Sequence, residues 1–320
     1  MKALVYSSRK NEREILSKAN DGKHELSWQT AALSKDTVQL AAGQDAVVVF
    51  TNDDVSASVM NQLATLGVKY VITRSAGTDH IDFEAAARNG IRVSNIPAYS
   101  PNAIAEHAIA LTLALSRHLI RANRNCMQYD FSLDHLTGFN LNGKQVGIVG
   151  MGHIGLITAR IFQGFGCNVS GYDVNPDVSA PGIPQVPLND LLQSCDIISL
   201  HVPLNRQTEH MINSETLSLM KKGAMLINTS RGGLVNTIDV LQALDAGRLG
   251  YYGTDVYEFE RGIFFEDRES DTVRDALLTR LIAHPKVLLT PHQAFLTVEA
   301  ISDITTQVIR LLDDYAVSVS

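Results

Sequence analysis

The sequence predicts an α/β protein with two doubly wound parallel-sheet domains and a cleft between them. Short apolar runs alternate with amphipathic stretches along the 320 residues, which is the pattern of βαβ units. The runs are apolar at consecutive positions rather than at alternate ones, as is typical of strands that helices cover on both faces. The length is also enough for two domains of ordinary size.

The strand-like segments fall into two groups, separated by a long helical pattern at residues 101–121 that Pro101 is suited to begin. A second helical pattern, at residues 297–315, follows the last strand and leads back to the first group. The predicted strands are residues 46–50, 69–73 and 91–94 in the first group, and 145–149, 168–172, 196–200, 224–228, 250–253 and 287–290 in the second.

This order predicts a discontinuous first domain. We expect a substrate domain of residues 1–99 plus 298–320, and a dinucleotide-binding domain of residues 100–297. The amino-terminal domain would then be completed by the last helix of the chain.

Composition excludes several classes of protein. The net charge is −7 and no Lys/Arg-rich run occurs, which disfavours nucleic-acid and anionic-membrane partners. The three cysteines are widely spaced without a CxxC pair, which argues against disulfides and against a metal site. Residues 1–10 lack the apolar run of a signal peptide, and no apolar run of about 18 residues occurs. We therefore expect a cytoplasmic protein without a membrane span.

The strongest local motif is the glycine fingerprint made of Gly150, Gly152 and Gly155, with His153 and Ile154 inside it. It follows a predicted strand and opens a helical pattern, which is the context of a Rossmann-like dinucleotide site. The first glycine permits the tight turn, the second lets the backbone approach a pyrophosphate, and the third lets helix and strand pack closely. The alternative is a glycine-rich turn without a ligand.

Asp173 lies 18 residues after Gly155, at the end of the next predicted strand. Its carboxylate could accept both ribose hydroxyls of NAD and would repel the 2′-phosphate of NADP. No Lys or Arg follows at residues 174–176, so NAD is the expected cofactor. A turn-forming aspartate before Asn175 and Pro176 is the alternative interpretation.

Three polar residues follow predicted strands of the second group: Arg231, Glu260 and His292. Ligands of open α/β sheets bind beyond the carboxyl ends of the strands. An arginine can hold a carboxylate through two parallel hydrogen bonds, and histidine titrates near neutral pH while a carboxylate neighbour orients its ring. Singly, such an arginine is typically solvated and such a histidine caps or fills a core; together they predict a hydroxy-acid dehydrogenase site.

At this point the sequence resembles the D-2-hydroxyacid dehydrogenase family, over nearly the whole chain. Two stretches, residues 262–268 and 291–297, are similar to its D-lactate branch. The other segments that carry the resemblance are residues 74–79, 97–103, 150–155, 201–204, 228–233, 255–260 and 290–295.

The resemblance implies a role for each matching residue. Arg231 would bind the substrate carboxylate, His292 would be the acid/base, and Glu260 would be its partner. The backbone of Ser75, Ala76 and Gly77 would cradle the carboxylate, and Tyr99 and Phe295 would form walls of the pocket. Asp255 would hold the nicotinamide amide. His201, Val202, Pro203, Thr229 and Ser230 would line the cofactor channel.

The resemblance also implies a small 2-oxo acid as substrate and a homodimer or homotetramer. Residues 50–53 contain no Lys or Arg to hold a phosphate, which speaks against a phosphorylated substrate, and pyruvate is the first choice. Hydroxypyruvate, glyoxylate, phenylpyruvate or a formate-like donor remain alternatives. A different class of protein, a non-catalytic NAD-sensing corepressor, is the other alternative.

Overall fold

The computed structural model describes residues 1–97, 99–178 and 180–319. The chain divides into two compact units, Met1–Ser100 with Leu296–Ser320, and Pro101–Phe295. The strands are β1 (Lys2–Val5), β2 (Glu25–Trp28), β3 (Ala46–Val49), β4 (Tyr70–Thr73), β5 (Arg92–Asn95), β6 (Gln145–Val149), β7 (Asn168–Tyr172), β8 (Ile197–Leu200), β9 (Ala224–Asn228), β10 (Leu249–Thr254) and β11 (Val287–Leu289).

The helices connect these strands as a doubly wound fold requires. They are α1 (Lys10–Asn20), α2 (Ala57–Thr65), α3 (Phe83–Arg88), α4 (Pro101–Ser116), α5 (Leu119–Met127), α6 (His153–Gly164), α7 (Leu188–Ser194), α8 (Ser214–Leu219), α9 (Thr237–Asp245), α10 (Ala276–Ala283) and α11 (Val298–Val319), with short 3₁₀ turns at Val38–Ala41 and Gly232–Leu234.

The first unit is built on a parallel sheet in the order β2-β1-β3-β4-β5. Every residue of β3 and β4 is buried, because helices cover both faces of these central strands. The strand order reverses beside β1, so the carboxyl ends of β1 and β3 form the switch point where such sheets bind ligands.

The second unit contains a parallel sheet in the order β11-β10-β9-β8-β6-β7. Its switch point lies beside β6, with β7 on one side and β8 on the other. The strands β9, β10 and β11 are neighbours. Residues that follow these three strands are therefore brought to one edge of the sheet.

The two-domain parallel α/β fold predicted from the sequence is confirmed, and the predicted strands form within a residue or two of their expected bounds. The prediction missed β1 and β2, which are short and lie beside a polar amino-terminal helix. The predicted end of the helix at residues 101–121 was wrong. The helix stops at Ser116, and α5 starts anew after His118, whose φ of 52° interrupts the helical path.

Within the described residues, no single helix has both the length and the apolar composition to cross a membrane. Helices α4 and α5 reach the necessary length and apolar composition only when they are taken together, and the two are bent by 61° relative to each other. Much of α4 is buried in the second unit, where it packs against α6, β9 and β10.

The core of the first unit can be tested through the single tryptophan, Trp28, which lies on β2. Leu63 of α2 is fully buried, whereas Leu40 is 50% exposed. We expect Leu63→Ala to lower the free energy of unfolding by about 2–5 kcal/mol, since it leaves a cavity. Leu40→Ala should change it by about 0.5 kcal/mol or less. Urea denaturation followed by Trp28 fluorescence measures both, and equal losses would contradict the assigned core.

Candidate active site

Glu260 and His292 lie within hydrogen-bonding distance of each other, past the carboxyl ends of two neighbouring strands. Glu260 follows β10 and His292 follows β11, and His292 Nδ1 lies 2.6 Å from Glu260 Oε1. The second oxygen of Glu260 accepts a hydrogen bond from the Tyr257 backbone N–H at 3.0 Å. Because Nδ1 donates to the carboxylate, the ring orientation is fixed and Nε2 is the atom left to face a reactant.

The backbone at His292 lies in the left-handed region, with a φ of 55°. Its N–H donates to the Asp255 carbonyl at 2.6 Å and to the Thr290 carbonyl at 3.0 Å. The Phe265 ring packs beside the imidazole at 5.6 Å between centroids, and Phe265 also has a positive φ, 71°. A histidine in this region is uncommon, so the surrounding bonds hold a conformation that the isolated chain would rarely adopt.

Asp255 fixes the segment that carries His292. The residue is fully buried, and its carboxylate accepts hydrogen bonds from the Thr290 hydroxyl at 2.6 Å and from the N–H groups of Gln293 at 2.9 Å and Ala294 at 2.8 Å. The sequence reasoning assigned Asp255 only to the nicotinamide amide and missed this second role. A buried aspartate between two predicted strand ends gives no local signal for it.

Arg231 follows β9, the next strand in the sheet, and immediately precedes the Gly232–Leu234 turn. Its Nη1 donates to the Ser230 carbonyl at 2.8 Å. A Cβ at Gly232 would lie 2.1 Å from the Tyr257 carbonyl carbon and 2.4 Å from the Glu258 nitrogen. Glycine is therefore needed for the Arg231 loop to lie directly against the loop that leads to Glu260.

Four predicted substrate residues, Ser75, Ala76, Gly77 and Tyr99, belong to the first unit. The first three follow β4, where the buried Ser75 hydroxyl donates to the Gly77 carbonyl at 2.7 Å and shapes the loop. Phe295, the fifth of the predicted pocket residues, belongs to the second unit and is 9% exposed. The substrate roles of these residues remain predictions.

The glycine loop has the geometry expected of a dinucleotide site. Gly150 has a φ of 97°, and a Cβ there would lie 2.5 Å from the His201 carbonyl oxygen. A Cβ at Gly155 would lie 1.9 Å from the Gly150 carbonyl oxygen, so this glycine permits the close packing of helix and strand. At Gly152, by contrast, a Cβ would meet nothing within 4 Å. Open space at the amino end of α6, which begins at His153 and continues through Ile154, fits a bound pyrophosphate.

Asp173 joins the glycine loop to the turn after β7. Its Oδ2 accepts from the Met151 N–H at 2.8 Å, and its Oδ1 accepts from the Asn175 N–H at 2.9 Å. The second bond is the turn-forming contact of the alternative interpretation, and the role in ribose binding remains a prediction. Since an ionised carboxylate offers about four acceptor positions, capacity remains for ribose hydroxyls.

Two buried polar atoms beyond β8 and β9 lack a hydrogen-bond partner among the described residues: His201 Nδ1 and Thr229 Oγ1. His201 Nε2 bonds to Ser199 Oγ at 2.8 Å, and burial lowers the pKa of His201 to about 4. Ser230 Oγ donates to the Leu200 carbonyl at 2.8 Å, between the same strand ends. Val202 and Pro203 continue the chain from His201 beyond β8. Unsatisfied buried polar atoms are costly, so these positions fit a polar ligand such as the predicted cofactor.

The glycine loop can be tested by a matched pair of alanine substitutions. We expect Gly152→Ala to leave the melting temperature unchanged but to weaken NADH binding about 10-fold, or about 1.4 kcal/mol. Gly155→Ala should weaken binding and also cost about 1–3 kcal/mol of stability through overpacking. NADH fluorescence titration and thermal unfolding measure the two effects. Unweakened binding in Gly152→Ala would contradict the placement of the pyrophosphate.

Comparisons with known proteins identify the family to which the chain belongs. The sequence profile of the D-isomer specific 2-hydroxyacid dehydrogenase, NAD binding domain, matches residues 109–294. The 2-hydroxyacid dehydrogenase homolog of Zymomonas mobilis subsp. mobilis is 42% identical over 319 residues, which cover 98% of this chain and 96% of the relative. D-lactate dehydrogenase kk1H of Curvularia clavata is 43% identical over 322 residues, covering 99% and 92%.

A solved structure described as "Identification of the pyruvate reductase of Chlamydomonas reinhardtii" matches with a TM-score of 0.93 and 42% identity. The match covers 99% of this chain and 97% of that one. The glycine loop, Asp173 and the three strand-end residues Arg231, Glu260 and His292 all lie within the residues that the family profile matches. The chain therefore belongs to the D-isomer specific 2-hydroxyacid dehydrogenase family, and it contains that family's NAD-binding domain.

Proposed function

We propose that this chain reduces pyruvate to D-lactate with NADH, in the cytoplasm. The observation that carries the proposal is the 2.6 Å contact between His292 Nδ1 and Glu260 Oε1, beyond neighbouring strands of the NAD-binding domain. The names of two similar proteins, a D-lactate dehydrogenase and a pyruvate reductase, support this choice of substrate. The absence of a disulfide among the described residues, where all three cysteines are free thiols, is consistent with a reducing compartment.

His292 would supply the proton. Glu260 accepts the Nδ1–H, which would orient the ring and stabilise positive charge on the imidazole during proton transfer. Nε2 would donate its proton to the 2-oxo oxygen as negative charge develops there. In the reverse direction the same nitrogen would accept the hydroxyl proton of the 2-hydroxy acid.

Arg231 would bind the substrate anion. Its planar fork matches a carboxylate and can stabilise the developing charge on the neighbouring oxygen. The backbone of Ser75, Ala76 and Gly77 would bind a substrate carboxylate, and Tyr99 and Phe295 would form walls that limit the size of the substrate.

When bound, NADH supplies the hydride. The chain's own residues would bind and orient it: Gly150, Gly152 and Gly155 by allowing close approach of the backbone, and Asp173 through the ribose hydroxyls. His201 Nδ1 and Thr229 Oγ1 are the buried polar atoms suited to bond to it. Among the described residues, Asp255 Oδ2 accepts a hydrogen bond only from the Ala294 N–H, so that oxygen retains capacity for the nicotinamide amide.

The substrate preference also depends on the surroundings of Phe50, which follows β3. Residues 50–53 contain no cation, but the guanidinium groups of Arg9 and Arg74 lie over the Phe50 ring, at 5.4 and 5.3 Å from its centroid. Arg74 is buried and paired with Glu12. Two cations thus lie beside Phe50, so hydroxypyruvate, glyoxylate and phenylpyruvate belong in the substrate panel.

We also propose a homodimer or homotetramer. Met127 at the end of α5 and three residues of the segment that follows it expose large apolar side chains: Met127 is 77% exposed, Tyr129 86%, Phe131 69% and Leu133 81%. Several large exposed apolar side chains in one short segment support an association site there.

The catalytic proposal predicts that turnover of pyruvate depends strongly on the side chains of His292 and Arg231. With pyruvate and NADH, His292→Ala should lower kcat about 10²–10⁴-fold, because the proton donor is lost. Arg231→Gln should lower kcat/KM about 100-fold or more. NADH absorbance measures both, and a chiral assay of the product establishes its hand.

A second histidine–glutamate pair provides the matched control. His210 Nε2 lies 2.5 Å from Glu258 Oε1, but Glu258 also accepts from the Thr237 N–H at the start of α9, which is a structural contact. His210→Gln should retain turnover. Faster turnover with another 2-oxo acid would reassign the substrate, and tight NADH binding without any turnover would favour an NAD-sensing binding protein instead.

The proposal of a homodimer or homotetramer predicts that removing the exposed apolar side chains lowers the mass of the particle in solution. The double substitution Phe131→Ser and Leu133→Ser removes two exposed apolar side chains without touching the described cores, so folding should persist while association weakens. Light scattering after size exclusion should show a multimer for the wild type and a lower mass for the variant. A monomeric wild type would contradict the proposal.

A further inference from the structure

His107 lies on α4, a helix that is otherwise largely apolar where it packs into the second unit. Its side chain is 17% exposed. The imidazole Nε2 lies 2.9 Å from Thr290 Oγ1 and 3.5 Å from Asp255 Oδ1.

The donors and acceptors among His107, Thr290 and Asp255 follow from the number of protons that each side chain can donate. The Asp255 carboxylate accepts two backbone N–H groups as well as the Thr290 hydroxyl, so it acts as an acceptor throughout. Thr290 must then donate its only hydroxyl proton to Asp255 Oδ1. The Thr290 oxygen therefore accepts from His107, which requires a proton on His107 Nε2.

This chain of bonds ends at the segment that carries His292. Asp255 binds the N–H groups of Gln293 and Ala294 through its carboxylate, and the N–H of His292 through its carbonyl. His292 itself has a φ of 55°. A conformation of that kind persists only where its surroundings determine it. His107 is the first donor in the series of hydrogen bonds that runs through Thr290 and Asp255 to this segment.

We propose that His107 is a positioning residue for proton transfer, acting through Thr290 and Asp255 to hold His292 in its left-handed conformation. The role rests on the proposed function of His292. In this role His107 touches neither the substrate nor the cofactor. Unlike a residue that only fills the core, it acts on the position of His292 through one hydrogen-bond donor, its Nε2–H.

Variants that separate the donor from the packing test the proposal. His107→Leu keeps an apolar side chain but removes the donor, whereas His107→Gln places an amide N–H near the position of Nε2. Thr290→Val removes the hydroxyl at nearly constant shape, and Thr290→Ser restores it. We expect His107→Leu and Thr290→Val each to lower kcat about 10-fold or more, because small displacements of a reacting group are costly.

The kinetic pattern distinguishes positioning from simple destabilisation. The dissociation constant of NADH should stay unchanged, and the isotope effect on kcat with 4-deuterated NADH should rise as the chemical step becomes slower. Because the two residues act in series, the double variant should lose no more than either single one. His107→Gln and Thr290→Ser should recover most of the activity.

Hydrogen exchange gives a readout that needs no turnover. Exchange at the amides of His292, Gln293 and Ala294 should accelerate in His107→Leu and stay near the wild-type rate in His107→Gln, while amides of β6 remain protected in both. Wild-type exchange and kcat in His107→Leu, beside an active wild type and an inactive His292→Ala, would overturn the positioning role alone. A wild type without turnover on any 2-oxo acid would overturn the proposed function and this role together.

Discussion

The buried carboxylate of Asp255 is the constraint on which the arrangement around His292 depends. It lies where β10 ends and binds three donors from the segment that follows β11, so it ties two adjacent strand ends together. Burying an anion is unfavourable unless its oxygens are well bonded, and here the bonds come from a single short segment. The same bonds offset the cost of the left-handed backbone at His292.

The order of strands explains how distant parts of the sequence reach one site. Glu260 lies 29 residues after Arg231, and His292 lies 32 residues after Glu260, but the three follow β9, β10 and β11, which are neighbours. A parallel sheet brings all carboxyl ends to the same edge. The glycine loop after β6 reaches that edge as well, so one architectural rule places both this loop and the pair of Glu260 and His292.

The parts of the molecule that follow such rules could be predicted from the sequence. The glycine fingerprint is local, and the apolar runs of β6, β7 and β9 mark strands whose bounds come out as expected. The break between α4 and α5 could not be foreseen, because it depends on one backbone angle at His118 in a sequence that is otherwise helix-compatible. The network of His107, Thr290 and Asp255 was equally hidden, since it arises from three elements whose contact only tertiary packing decides.

The glycine at position 232 has a consequence for how the site responds to change. The Arg231 loop and the loop leading to Glu260 meet backbone against backbone there. Side chains adjust to heat or to nearby substitutions by changing rotamer, but two backbones in direct contact have no such freedom. Arg231 and Glu260 are thus coupled as a rigid pair, and core substitutions elsewhere in the unit would displace the two together rather than apart.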